Sequence, residues 1–117
     1  MSERIVVYQK SGCSKCRATL ELVASSGQEF DAVNYYETPL TAERLRELID
    51  KLGLPVRDVL RGDEPLARSL KLAERALPDE ELIRIMVENP DLIQRPIVVR
   101  GDEAMLCRPP ENVMKLL

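Results

Sequence analysis

The chain has 117 residues, 44% of them apolar and 32% charged, which suits one soluble domain with its own core and excludes a need for a disulfide framework or a structural metal. A net charge of −3 excludes a basic nucleic-acid-binding surface, so any anion site must be a local cluster of arginines. The first ten residues lack a basic stretch followed by an apolar segment, and no apolar run approaches membrane-spanning length, so a cytoplasmic location is expected.

Arg4–Tyr8 is a short β-branched run and reads as a buried strand. After the polar turn Gln9–Gly12, a helix begins near Cys13 and runs to about Ser26. Cys16, Leu20 and Val23 recur along one face, and Gly27 serves as its stop. Phe30–Tyr36 reads as a second strand. A strand, a helix and a strand in this order form a βαβ unit with a parallel pair. Thr41 is an N-cap for a helix carrying Leu45, Leu48, Ile49 and Leu52, stopped at Gly53. Pro55–Arg61 reads as a short helix and Leu66–Glu74 as a weakly patterned one. Pro78-Asp79 opens another helix, with Leu82, Ile85 and Met86 facing inward, which stops at Asn89-Pro90. Pro96–Arg100 and Glu103–Cys107 are two strands around a Gly101-Asp102 turn. Pro109-Pro110 precedes a last helix with Val113, Leu116 and Leu117. The order βαβ, helices, ββα predicts an α/β, thioredoxin-like fold. One mixed sheet is built from the two halves, and residues 1–117 form a single domain with a helical insertion at about 40–94.

The chemistry centres on Cys13-Ser14-Lys15-Cys16, at the junction of a strand and a helix. A helix N-terminus offers unpaired N–H groups and a positive dipole end, both of which stabilise a thiolate. Lys10, Lys15 and Arg17 add positive charge nearby. A lowered thiol pKa leaves more nucleophile at neutral pH. The spacing lets Cys16 reach Cys13 and form a disulfide. The plain alternative, two small residues packed at a helix start, is weaker, because cysteines at this junction seldom serve packing alone. No metal is expected: the chain has no His, and Cys107 is the only remaining thiol, whereas a closed zinc site takes four ligands.

These features sit within a wider set of segments: Ile5–Tyr8 followed by Gly12-Cys13, Tyr36–Pro39, Val56–Arg61, Arg95–Val99 and Leu106–Pro109. Together they resemble the arsenate reductase (ArsC) family, whose fold is thioredoxin-like with a helical insertion. The Leu106-Cys107-Arg108-Pro109 segment separates the chain from the related Spx transcriptional regulators. The resemblance implies that Cys13 is the nucleophile and that Arg61, Arg95 and Arg108 hold the substrate oxyanion. It also implies that Pro96 follows a cis bond and faces the active cysteine. Cys107 matches a family cysteine, although a small residue at the end of a buried strand is its simpler role. Taken alone, Arg61 would more often be a solvated helix residue; Arg95 and Arg108 flank the last two strands and are better placed. Guanidinium forks suit a tetrahedral dianion such as arsenate, and they offset the repulsion that a thiolate meets in attacking an anion.

Two departures from the family pattern matter. Gln9 stands where the reductases often carry a His, and a neutral amide supplies no imidazolium charge. Cys16 stands where glutathione-dependent members tend to have Ser or Thr, so the chain can resolve its own adduct. The expected activity is reduction of arsenate to arsenite through a Cys13 adduct. The resolving thiol is glutathione with glutaredoxin, or Cys16 with thioredoxin as donor. No bound cofactor, nucleic-acid partner or membrane is expected, and the chain is expected to be a monomer. The alternatives are a general thiol–disulfide oxidoreductase and an Spx-like redox-sensing regulator that binds RNA polymerase.

Overall fold

The computed structural model describes residues 4–10, 12–107 and 109–117. The chain packs as two compact units, one from the described residues of Met1–Thr38 and Arg95–Leu117, the other from Pro39–Gln94.

The first unit contains strand β1 (Ile5–Gln9), helix α1 (Ser14–Ser25) and strand β2 (Phe30–Asn34). A four-stranded sheet in the order β2-β1-β3-β4 is completed by β3 (Ile97–Arg100) and β4 (Glu103–Leu106). β1 lies parallel to β2, with Val7 opposite Ala32, and antiparallel to β3, with Val7 opposite Val98. The α1 crossover makes the parallel pair possible, and a two-residue turn closes the antiparallel β3–β4 pair, in which Arg100 faces Glu103. Gly101 leads that turn at a φ of 61°, a value that L side chains rarely adopt. This is the expected thioredoxin-like arrangement, with the two halves sharing one mixed sheet.

The unit's core follows from period-2 and period-3.6 burial. Ile5, Val7 and Val98 point from the sheet toward Val23 of α1, and Cys107, Val113 and Leu116 complete the cluster. β3 occupies a central position, and its Ile97, Val98 and Val99 are all buried. The C-terminal segment that packs against α1 differs from expectation: Pro110–Lys115 is a 3₁₀-helix rather than an α-helix. Its bonds run three residues back, from Asn112 N to the Pro109 carbonyl and from Leu116 N to the Val113 carbonyl, and six residues are short for a stable α-helix.

β2 ends at Asn34, two residues earlier than its alternation predicts. The Asn34 side chain accepts a hydrogen bond from the Tyr36 N–H at 3.0 Å, and the Asn34 carbonyl accepts from Glu37 and Thr38. This local turn outcompetes further ladder pairing.

The second unit holds α2 (Ala42–Leu52), α3 (Val56–Val59), α4 (Pro65–Ser69) and α5 (Asp79–Glu88). The Thr41 side chain caps α2 by accepting from Arg44 N at 3.1 Å, and Gly53 closes it. α2 packs on α5 through Leu45, Leu48 and Ile49 on one side and Leu82, Ile83 and Met86 on the other. Ile83, not Ile85, is the fully buried isoleucine; Ile85 is half-buried. The expected helix over 66–74 is two pieces. Lys71 turns left-handed at a φ of 54°, and a 3₁₀ segment, Leu72–Glu74, follows it. Arg57 holds this corner, donating from Nη1 to the Leu72 carbonyl at 2.9 Å and from Nη2 to the Arg75 carbonyl. No helix among the described residues is long and apolar enough to cross a membrane.

Candidate active site

β1 hands over to α1 through a turn in which Cys13 N donates to the Lys10 carbonyl at 3.3 Å. Gly12 precedes Cys13 at a φ of 82°. Cys13 itself has extended dihedrals and is the N-cap of α1. Its Sγ takes the place that a Ser or Asp oxygen usually fills, accepting from Cys16 N at 3.4 Å. No acidic residue lies in the first turn of α1 to oppose a negative sulfur.

Burial of Cys13 opposes ionisation. Hydrogen bonds from the Cys16 side chain and backbone N–H, together with the Arg95 guanidinium, outweigh that cost and hold the thiol below its ordinary range. Cys16 is 1% exposed. Its thiol is pushed up to about 12, first by burial and then by its hydrogen bond and charge interaction with Cys13. One member of the pair is therefore poised as the thiolate and the other as the proton-bearing partner. Both are free thiols.

Among the described residues, the cation acting on Cys13 is Arg95. Lys15 and Arg17, expected from sequence to help, are exposed on α1, and Lys10 instead lies over the Tyr36 ring at 4.8 Å from its centroid. Arg95 precedes Pro96 across a cis peptide bond at the start of β3. Its Nε and Nη1 are buried without a hydrogen-bond partner among the described residues. Buried guanidinium donors are normally satisfied, so this arrangement is suited to an anionic ligand. Gln9, which cannot supply an imidazolium, is the last residue of β1. Ionisation of Cys13 instead rests on the α1 cap and Arg95.

Arg61 belongs to the second unit. Its Nη1 donates to the Asp91 carbonyl at 3.4 Å and lies 3.6 Å from the Glu64 carboxylate, while its Nε is buried without a partner among the described residues. It is therefore not the solvated helix arginine that its sequence context alone favours. Arg108 lies outside the described residues. Cys107 follows β4 in the core, fully buried, and burial pushes its thiol up to about 12; it is inert packing in this state. The residue that sequence reasoning missed is Tyr35. It is 1% exposed and interacts electrostatically with Arg95. A tyrosine ending a strand gives no periodic signal of such a role. Among the described residues no cluster of His, Cys, Asp or Glu could hold a metal ion.

The ArsC family model matches residues 8–116. The chain is 42% identical to the uncharacterized protein YfgD of Escherichia coli K12, covering 100% of this chain and 99% of that one. It is 41% identical to an arsenate reductase of the same strain, covering 97% of this chain and 80% of the relative. A solved arsenate reductase from Vibrio cholerae superimposes with a TM-score of 0.94 at 39% identity, over 100% of both chains. A family model spanning residues 8–116 and relatives about 40% identical along nearly the whole chain lead to one conclusion: this protein belongs to the ArsC family.

Proposed function

We propose that the protein is an arsenate reductase, a thiol-dependent oxidoreductase, and that Cys13 is its nucleophile. The observation that carries this reading is the pairing of a Cys13 thiol held low with an Arg95 that keeps two buried donors unsatisfied. A nucleophile and an anion-binding group thus converge on one helix terminus. Arg61 and Arg108 enter the reading as further oxyanion ligands through the family resemblance, and Pro96 as the residue that shapes the site beside Cys13.

In this mechanism the Cys13 thiolate attacks arsenic and one oxygen leaves as water, forming a sulfur–arsenic(V) adduct. A second thiol then attacks Cys13 Sγ. The sulfur–arsenic bond breaks with its electron pair staying on arsenic, which departs as arsenite. The two sulfurs are left as a disulfide, so two thiols supply the two electrons. The Cys16 N–H that donates to Cys13 Sγ at 3.4 Å supports the reading in which Cys16 is the second thiol. Glutathione resolved by glutaredoxin is the external alternative, and thioredoxin is the donor if Cys16 resolves. The protein is read as a cytoplasmic monomer, with residues 1–117 acting as one domain and the segment at about 40–94 inserted between its halves.

The nearby Cys16 also favours a second reading, a general thiol–disulfide oxidoreductase. NADPH-coupled arsenate reduction separates the two, run with glutathione plus glutaredoxin and, in parallel, with thioredoxin. Turnover is expected to vanish in Cys13→Ser. Loss in Cys16→Ser with thioredoxin would identify the internal route, and retention with glutathione the external one. No turnover with either donor, from protein whose Cys13 alkylates readily, would remove the arsenate assignment and leave the general oxidoreductase.

A further inference from the structure

The second unit carries an open groove where the N-terminal halves of α2 and α5 meet. It holds about 570 Å³ and is lined by Ala42, Glu43, Arg46 and Glu47 of α2 and by Glu80 and Ile83 of α5. Ile83 is buried and Ala42 is exposed, so aliphatic carbon runs from floor to rim. The methylene stems of the charged residues add to it. The charges on the rim do not balance. Arg46 is already met by two carboxylates, with Nε 4.0 Å from Asp50 and Nη1 3.9 Å from Asp79. Glu47 accepts from Arg44 at 3.2 Å, an exposed pair of the kind that exchanges at little cost. Glu43 and Glu80 are exposed and have no ion pair among the described residues. Each lies in the first turn of its helix, where the macrodipole favours an acid. The dipole accounts for them singly. It does not account for three glutamates gathered around one aliphatic floor.

We propose that this groove docks a basic amphipathic helix of a protein partner, with an apolar side chain on the Ile83 floor and flanking lysines or arginines on Glu43, Glu47 and Glu80. Glu43 and Glu47 stand four residues apart on α2, about one helical turn. Cations four residues apart on a partner helix rise by the same distance, about 6 Å, so they meet both carboxylates when the two helices lie side by side. Glu80 closes the opposite wall. An aliphatic floor inside a charged rim suits helix-in-groove recognition, in which apolar contact supplies affinity and charge sets register and partner choice. The same carboxylates turn away acidic segments. Docking here needs nothing of the chemistry at Cys13.

The probe is a fluorescent amphipathic peptide of leucine and lysine, about 15 residues long so that it holds a helix. Its binding to the full chain is followed by anisotropy at low salt and its footprint by amide chemical-shift mapping. Saturable binding is expected, with shifts centred on residues 42–47 and 79–83. Glu43→Gln/Glu80→Gln is expected to weaken it by at least roughly tenfold, and Glu21→Gln/Glu111→Gln, which removes the same charge from exposed positions of the first unit, by less than about twofold. Ala42→Trp, which fills the groove without altering charge, is expected to abolish binding, and a peptide with glutamate in place of lysine is expected not to bind. Equal weakening by the two double variants would mean general attraction to an acidic chain and would overturn the proposal. It would also be overturned by absence of saturable binding or by spermine binding the same residues as tightly as the peptide. A dimer of this chain that dissociates in Glu43→Gln/Glu80→Gln would overturn it in favour of a second copy.

Discussion

At the scale of single residues, the three cysteines divide by environment. Cys13 has a backbone N–H and a guanidinium on its sulfur, whereas Cys16 and Cys107 are buried, each with its thiol pushed up to about 12. Limiting iodoacetamide at pH 7 should therefore label Cys13 alone, and peptide mapping checks this. Arg95→Ala should move the Cys13 alkylation midpoint to higher pH, because a charged partner that favours the thiolate is lost. The same variant should lower kcat/KM for arsenate by more than tenfold, since one buried guanidinium serves both the nucleophile and the oxyanion. Arg61 shows the limit of reading residues singly. Nothing within Val56–Arg61 distinguishes it from Arg57, yet Arg57 clamps two carbonyls while Arg61 keeps a buried Nε without a partner among the described residues.

At the scale of elements, local chemistry set most boundaries. Thr41 was legible as an N-cap because Ser and Thr at that position satisfy an orphan N–H, and its Oγ1 accepts from Arg44 N at 3.1 Å. Thr41→Ala should cost about 1 kcal/mol in urea unfolding, and Thr41→Ser should restore most of it. Cys107, just past β4, makes a pH test of the core. Unfolded, it ionises near its ordinary value of 9.0; folded, only near about 12. The folded chain thus keeps a proton that the unfolded chain releases. Its contribution is full below pH 9 and lost as pH rises through the folded value. Cys16 has the same sign. Cys13, held low, has the opposite sign: its contribution is present above its unfolded pKa and lost as pH falls through its folded value. The midpoint temperature should decline above about pH 9, and less steeply in Cys107→Ala. The elements that resisted prediction are those in which a weak local pattern met a competing bond. They are β2, ended by the Asn34 turn, and the 66–74 stretch, broken at Lys71.

At the scale of the whole molecule, an oxyanion that binds only the folded state must stabilise it. Arsenate, or phosphate as its shape analogue, at 100 times its dissociation constant should add about 2.7 kcal/mol of stability. A thermal-shift titration checks this, and Arg95→Ala should abolish the response. Absence of any shift in wild type up to millimolar phosphate and arsenate would remove the oxyanion site from the reading.

Local patterns along the chain are enough to give the order of elements, the Cys13–Cys16 pair at a helix start and the family. These depend on short-range features: hydrophobic period, capping chemistry, turn residues and motif spacing. Only the folded chain shows that Arg95 is the described cation acting on Cys13, that Arg95 keeps donors without a partner among the described residues, and that Cys16 is the buried high-pKa partner. The physical reason is that a pKa and an orphaned donor are set by burial and by neighbours distant in the chain. Cys13 and Arg95 are far apart in sequence and come to one sheet end because β1, which leads into Cys13, pairs with β3, which Arg95 precedes.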